Sequence, residues 1–198
     1  MNNCKDTDLY KSLSFCKGKT VLPGIRGKVY FTKKSNIVKW PTLPSTVTTL
    51  MGELATYKDN FTIAADKKWL NIDILSTESS VTSESQGEHP SKTFINKVTL
   101  KHSGNDAEAA GFCRMANSDD LVFLIQQRGG AFRVIGNEMF DTNSKPSQES
   151  GAKETDASGT KIDIEVSDVC PAPFYAGTIT TEDGDISGID GSPVVIAP

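Results

Sequence analysis

The stretch Leu121-Val-Phe-Leu-Ile-Gln-Gln-Arg-Gly-Gly-Ala-Phe-Arg-Val-Ile-Gly136 decides how the fold is read. Leu121 to Ile125 is an unbroken apolar run, bounded by Asp119-Asp120 and by Arg128-Gly129-Gly130. A strand with one wet face alternates, so a short run without a polar position reads as a strand covered on both faces. The Arg-Gly-Gly turn returns the chain into a second apolar strand. Just upstream, Asp106 to Ala116 reads as a helix: Asn105 is the expected N-cap, and Ala109, Phe112, Cys113 and Ala116 recur at i, i+3, i+4 and i+7. One α-β-β unit is therefore the expected centre of a β-rich domain, with the helix's apolar face on a sheet.

On the N-terminal side, an arm over residues 1–22 ends at Pro23-Gly24, where a turn is expected. Lys28 to Thr32 reads as a strand, and Ser35 as the cap of a short turn through Ile37 to Trp40 that Pro41 must end. Pro41 to Thr49 reads as a loop. Phe61 to Ile63 and Trp69 to Leu75 read as strands joined by the polar turn Ala65 to Lys68. In the second, Ile72 and Ile74 share one face and Asn71 and Asp73 the other. Glu78 to Glu84 is either an exposed edge strand or a loop, and Phe94 to Leu100 alternates again.

On the C-terminal side, Thr142 to Ser158 is polar, contains Pro146 and Gly151, and reads as a long loop or an extended arm. Lys161 to Val166 has the cleanest period of two, and Phe174 to Thr180 reads as a closing strand. The expected division is an arm over 1–22, a single β-rich domain over 23–182, and an acidic, glycine-rich tail over 183–198. No internal repeat is present, which disfavours a solenoid. The fold class expected is mainly β, a β-sandwich or barrel with one packed α-helix.

Apolar residues, glycine not counted, make up 37% of the chain, below the roughly 45–50% typical of globular proteins even allowing for glycine's inclusion in that range. Much of each strand is then expected to face solvent or a partner, around a thin core. The net charge of −4 argues against a nucleic-acid-binding surface, which needs clustered Lys and Arg. The first ten residues hold no apolar signal region, and no segment approaches the roughly 18 apolar residues of a membrane span. A soluble chain made in a cytoplasm is expected. Cys4, Cys16, Cys113 and Cys170 lack paired spacing, which disfavours zinc and thioredoxin-like chemistry and favours reduced thiols.

The candidates for chemistry are few. Gly18-Lys19-Thr20 has the end of a phosphate-binding loop, but Leu13 stands where its first glycine belongs. Asp183 to Gly188 mimics half of a calcium loop, but Val194 occupies the position of the closing glutamate, so an acidic tail is the better reading. His89 and His102 are the sole histidines, and Cys113 on the helix's apolar face reads as a buried structural thiol. Trp40 and Trp69 could stack a sugar, although each sits among core-like residues and packing is the better reading. No catalytic, cofactor-binding or metal-binding residue is assigned, and no enzymatic activity is expected.

Several phrases resemble a family of structural proteins encoded by tailed phages and prophages of Bacteroides-type bacteria. They are Lys28-Val-Tyr-Phe-Thr-Lys-Lys with Ile37-Val-Lys-Trp-Pro41, Ala65-Asp-Lys-Lys-Trp69, Gln86-Gly-Glu with Pro90-Ser91, Phe132-Arg-Val-Ile-Gly136 and Pro171-Ala-Pro-Phe-Tyr-Ala-Gly177. A helix on a β-sandwich or barrel with long polar loops is similar to the tail-tube fold. That resemblance implies a homo-oligomeric, stacked ring subunit located in the virion and made in the bacterial host cytoplasm. Its implied partners are neighbouring tail or connector proteins and DNA in transient passage, with no membrane. A carbohydrate-binding or host-attachment module is the alternative, and would show Trp40 or Trp69 exposed beside polar side chains. A hydrolase would instead place His89 or His102 in a pocket near a carboxylate or Cys113.

Overall fold

A computed structural model describes residues 10, 12–14, 18, 20–44, 50–154 and 156–194. Along them run strands β1 (Ile25–Lys33), β2 (Ile37–Lys39), β3 (Thr56–Tyr57), β4 (Thr62–Ile63), β5 (Leu70–Asp73), β6 (Ser80–Gln86) and β7 (Thr93–His102). Helix α1 (Ala107–Ala116) follows. After it come β8 (Leu121–Gln127), β9 (Phe132–Ile135), β10 (Asn143–Glu149), β11 (Gly159–Asp168), β12 (Phe174–Tyr175), β13 (Thr178–Thr181) and β14 (Gly184–Ser187). The protein is mainly β with one α-helix, as its alternating strands and single helical pattern predict.

Strand β8 lies inside a six-stranded sheet ordered β3-β12-β9-β8-β1-β5, and Leu121 to Gln126 are all buried. Side chains alternate along a strand, so β8 feeds two cores. Leu121, Phe123 and Ile125 meet Val98, Leu100, Ile162, Ile164 and Val166 from a second sheet ordered β10-β11-β7-β6. Val122 and Leu124 meet Phe61, Trp69, Tyr175 and Ile179 on the opposite side, beneath the small pairs β2-β4 and β13-β14. The result is a two-sheet sandwich with a third, thinner layer. The thin core expected from composition is thus corrected: the apolar residues are concentrated in one strand layer that serves both faces.

Helix α1 closes the first core through Phe112 and Ala116, and Phe112 stands edge-on to Phe31 at 5.4 Å between ring centres. Its N-cap is Asp106, one residue later than expected, because the Asp106 carboxylate accepts the Ala109 N–H at 2.8 Å. Asn105 instead donates from its side chain to Glu149 O. Ile37 to Lys39 is a strand paired with β4, not part of a turn capped by Ser35. The turn comes earlier, over Lys34–Asn36.

Two further expectations are corrected. The long loop or arm over Thr142 to Ser158 contains β10, seven residues paired in register with β11 from Asn143↔Glu165 to Glu149↔Gly159. Pro146 hid it, yet proline is tolerated at a sheet edge, where one side of the main chain has no partner. Glu78 to Glu84 resolves likewise as the opposite edge, β6.

The second correction is the tail, since a boundary at 182/183 cuts through the hairpin β13-β14. Gly188 N–H bonds to Gly177 O, and Phe132 N–H to Gly188 O, so the segment is laid onto the central sheet. A methyl group at Gly188 would fall 2.6 Å from Tyr175 Cδ1, so glycine here serves close approach. The closing strand Phe174 to Thr180 is divided for the same reason: it leaves β12 in the central sheet and enters β13 in the outer layer.

Candidate functional site

The outward face of the sheet β10-β11-β7-β6 is the most distinctive surface of the molecule. Ile162, Ile164, Val98 and Leu100 point into the core, so the residues between them must point out. Outward positions place Lys97, Lys101, Lys145 and Lys161 against Glu84, Glu149, Asp163 and Glu165, a sum of zero. The charges pair between strands, Lys97 with Glu84 at 2.8 Å, Lys145 with Glu165 at 3.2 Å and Lys101 with Glu149 at 3.7 Å, and along β11, Lys161 with Asp163 at 2.7 Å. Thr99 also donates to Asp163 at 2.7 Å. Burial works to raise the Asp163 carboxyl, but the bonds from Lys161 and Thr99 and the charge of Lys145 outweigh it and hold it below the usual range. Lys101 is buried, but the other three pairs are solvent-accessible and contribute about 0–1 kcal/mol each, so their consequence is the character of the surface more than stability.

Both margins of this sheet, β6 and β10, lack a strand neighbour among the described residues. The central sheet ends at β3 and β5. At β5 the main chain is clasped from outside: Trp69 N–H bonds to Thr180 O, Leu75 N–H to Lys101 O, and His102 Nδ1 lies 2.7 Å from Asp73 O. Between α1 and the β1-β5 margin runs a groove of about 1030 Å³, lined by Phe31, Leu70, Phe112 and Met115 among others.

His102 lies beside Asp73 and Glu108 in an adjoining cleft of about 310 Å³. Its hydrogen bond among the described residues goes to a main-chain carbonyl, which makes it a clasp between the ends of the two sheets. Cys113 is half-buried, and burial raises its thiol, with a hydrogen bond to Thr160 working the other way. His89 is exposed. The half calcium loop is the β13-β14 hairpin, with Asp185 opposite Thr180. Gly18 and Thr20 are described outside any helix or strand, while Lys19 lies outside the described residues, as do Cys4 and Cys16.

Trp69 is buried at 1% exposure and packs edge-on against Phe61 at 5.4 Å, the packing role expected. Trp40 also packs edge-on against Phe61, at 5.5 Å, but is half-buried. With Tyr57, Asn137, Glu138, Met139 and Asp168 it lines a cleft of about 280 Å³. Asn137 is committed internally, donating to Ser167 O and accepting from Met139 and Phe140 N–H. Asp168 is 1% exposed; its Oδ1 accepts the Val169 N–H at 2.6 Å and its Oδ2 has no hydrogen-bond partner among the described residues. Burial raises this carboxyl despite the amide N–H of Val169 and the Asn137 side chain. Nearby Cys170 is pushed up to about 12 by burial and by the charge of Asp168, against the pull of Arg133.

The sequence pointed to one part of the polar face, the period-two run Lys161 to Val166. It missed the partners on β10, where no apolar residue marks an alternation. Met115 was hidden because it falls off the helix's apolar stripe, and is 56% exposed. Among the described residues no helix is long and apolar enough to cross a membrane. A scan against protein-family models and searches of curated proteins and of solved structures found no match to this chain.

Proposed function

We propose that this chain is a structural protein of a tailed-phage virion, a tail-tube or connector-ring subunit that self-assembles into stacked rings around the channel for genome delivery. It is made in the host cytoplasm, works in the virion and carries out no catalysis. The observation that carries the reading is the outward face of β10-β11-β7-β6, polar, neutral in sum and, among the described residues, without a strand neighbour at either margin. Set side by side around an axis, such sheets line a water-filled lumen. DNA phosphates passing it meet as many carboxylates as ammonium groups, each already paired, so counterion release gives no net hold. Edge strands such as β6 and β10 offer main-chain groups to a neighbour. Joining unlike surfaces of successive copies is heterologous, and closes into a ring when the rotation allows.

Size-exclusion chromatography with light scattering, followed by negative-stain microscopy, tests this reading. Rings or tubes are expected; a chain that stays monomeric at every accessible concentration counts against it. A second reading, a carbohydrate-binding or host-attachment module, is favoured by Trp40 beside Glu138 in its cleft. Glycan-array binding lost on Trp40→Ala would support that reading.

A further inference from the structure

The groove between α1 and the β1-β5 margin is apolar where it is open: Leu70 is 45% and Met115 56% exposed, over a floor of Phe31 and Phe112. It continues past Phe112 and Glu108, which line both clefts, to Asn71 and Ile72. Ile74 N–H bonds to Gly27 O, so the main-chain groups of Asn71 point away from β1. Among the described residues no main-chain bond engages them, on a margin clasped at Trp69, Asp73 and Leu75.

The N-terminal arm has the opposite character. Val21 and Leu22, adjacent in the chain, are 73% and 54% exposed, and Leu13 is 89% exposed. Residues 10–22 carry Lys11, Lys17 and Lys19 and no acidic residue. In the groove Lys33 is paired with Asp119 at 2.7 Å, leaving Asp66, Asp73, Glu108 and Glu182 against Lys67 and Lys68. A cationic, apolar arm thus matches an apolar groove with an acidic surplus.

The apolar mouth of the groove, at Phe31 and its β5 partner Leu70, is out of reach of the same chain's Val21 and Leu22. Leu22 stands three residues before Ile25, a span of about 10 Å even when fully extended. Phe31 lies six residues along β1 from Ile25, about 20 Å away. Resting on the reading of the chain as a ring subunit, we infer that the groove receives the Val21-Leu22 segment of a second copy's N-terminal arm. The contact is head-to-tail, because the arm leaves β1 at Ile25 and the groove's apolar mouth lies at its far end, beside Phe31. Apolar insertion supplies affinity, and Asn71 offers one N–H and one C=O to an extended segment.

A full-length chain carrying a photoreactive benzophenone amino acid in place of Leu22 tests this under conditions where the parent assembles. Irradiation is expected to give inter-chain cross-links that map to residues 70–73 or 107–116. In a chain that also carries Leu70→Glu and Met115→Glu, both at exposed positions, the cross-linked fraction should fall at least tenfold. That chain should run as a monomer with a melting temperature within a few degrees of the parent. Rings whose cross-links fall elsewhere, or within one chain, overturn the docking site and leave the ring reading standing. A parent that is monomeric throughout overturns both.

Discussion

Phe123 and Leu124 are neighbours in the chain, both wholly buried, and they belong to different hydrophobic cores. Strand β8 therefore contributes to both layers, as β9 does through Ile135 on one side and Phe132 and Val134 on the other. Phe123→Ala is expected to cost about 3–5 kcal/mol and Leu124→Ala about 2–5 kcal/mol, each through lost burial and a residual cavity. Urea denaturation measures both; a cost well under 1 kcal/mol at either position would mean that its face of β8 is solvated.

Asp106, and not Asn105, satisfies the free N–H groups at the start of α1. Asp106→Ala should destabilise the chain by ~1 kcal/mol and Asn105→Ala by less. Equal losses in thermal or chemical denaturation would show that the cap is shared.

A long loop or extended arm over Thr142 to Ser158, as its polar sequence suggests, would be removable without harm to the monomer. Pairing of β10 with β11 changes that outcome. Deleting Ser147 to Thr155 removes the paired residues Ser147, Gln148 and Glu149 and bares part of β11, so the melting temperature should fall by more than a few degrees. Shortening the connection over residues 150–158 alone should be tolerated. Differential scanning calorimetry of the two deletions separates these outcomes.

Reversing the sign of the polar face should make it sticky. Asp163→Lys with Glu165→Lys turns four positive and four negative outward charges into six and two, a change from zero to +4. The double variant is expected to retard duplex DNA in a gel, with retention that falls steeply as salt rises, while the parent leaves the DNA free. Retardation by the parent itself would contradict the neutral-lumen reading.

Asp168 sets a pH dependence. Its folded-state carboxyl is raised by burial, so the folded chain holds a proton at a pH where the unfolded chain does not. Above the raised value the ionised group costs stability; as pH falls from there toward the ordinary value of about 3.9, that cost is relieved. The melting temperature of the parent minus that of Asp168→Asn should therefore increase as pH falls through this window. A difference that stays flat, or shrinks, would mean the carboxylate is solvated or paired in the folded chain.

By itself the sequence determined the elements whose patterns are local. Leu121 to Ile125, short and bounded by turn residues, reads as a strand covered on both faces, because five apolar residues in succession leave no wet face. The stripe Ala109, Phe112, Cys113, Ala116 could only be a helix lying on a sheet. Tertiary structure decided what depends on a distant partner. Asn143 to Glu149 has no apolar alternation and contains a proline, and becomes a strand because β11 supplies hydrogen bonds along one side. Gly184 to Gly188 has the composition of a tail, and becomes a strand and turn because Tyr175 leaves room there for glycine alone. The balanced charge of the outer sheet face was invisible for the same reason. Lys145 and Glu165 are twenty residues apart in the chain, and they meet at 3.2 Å only once register brings β10 beside β11.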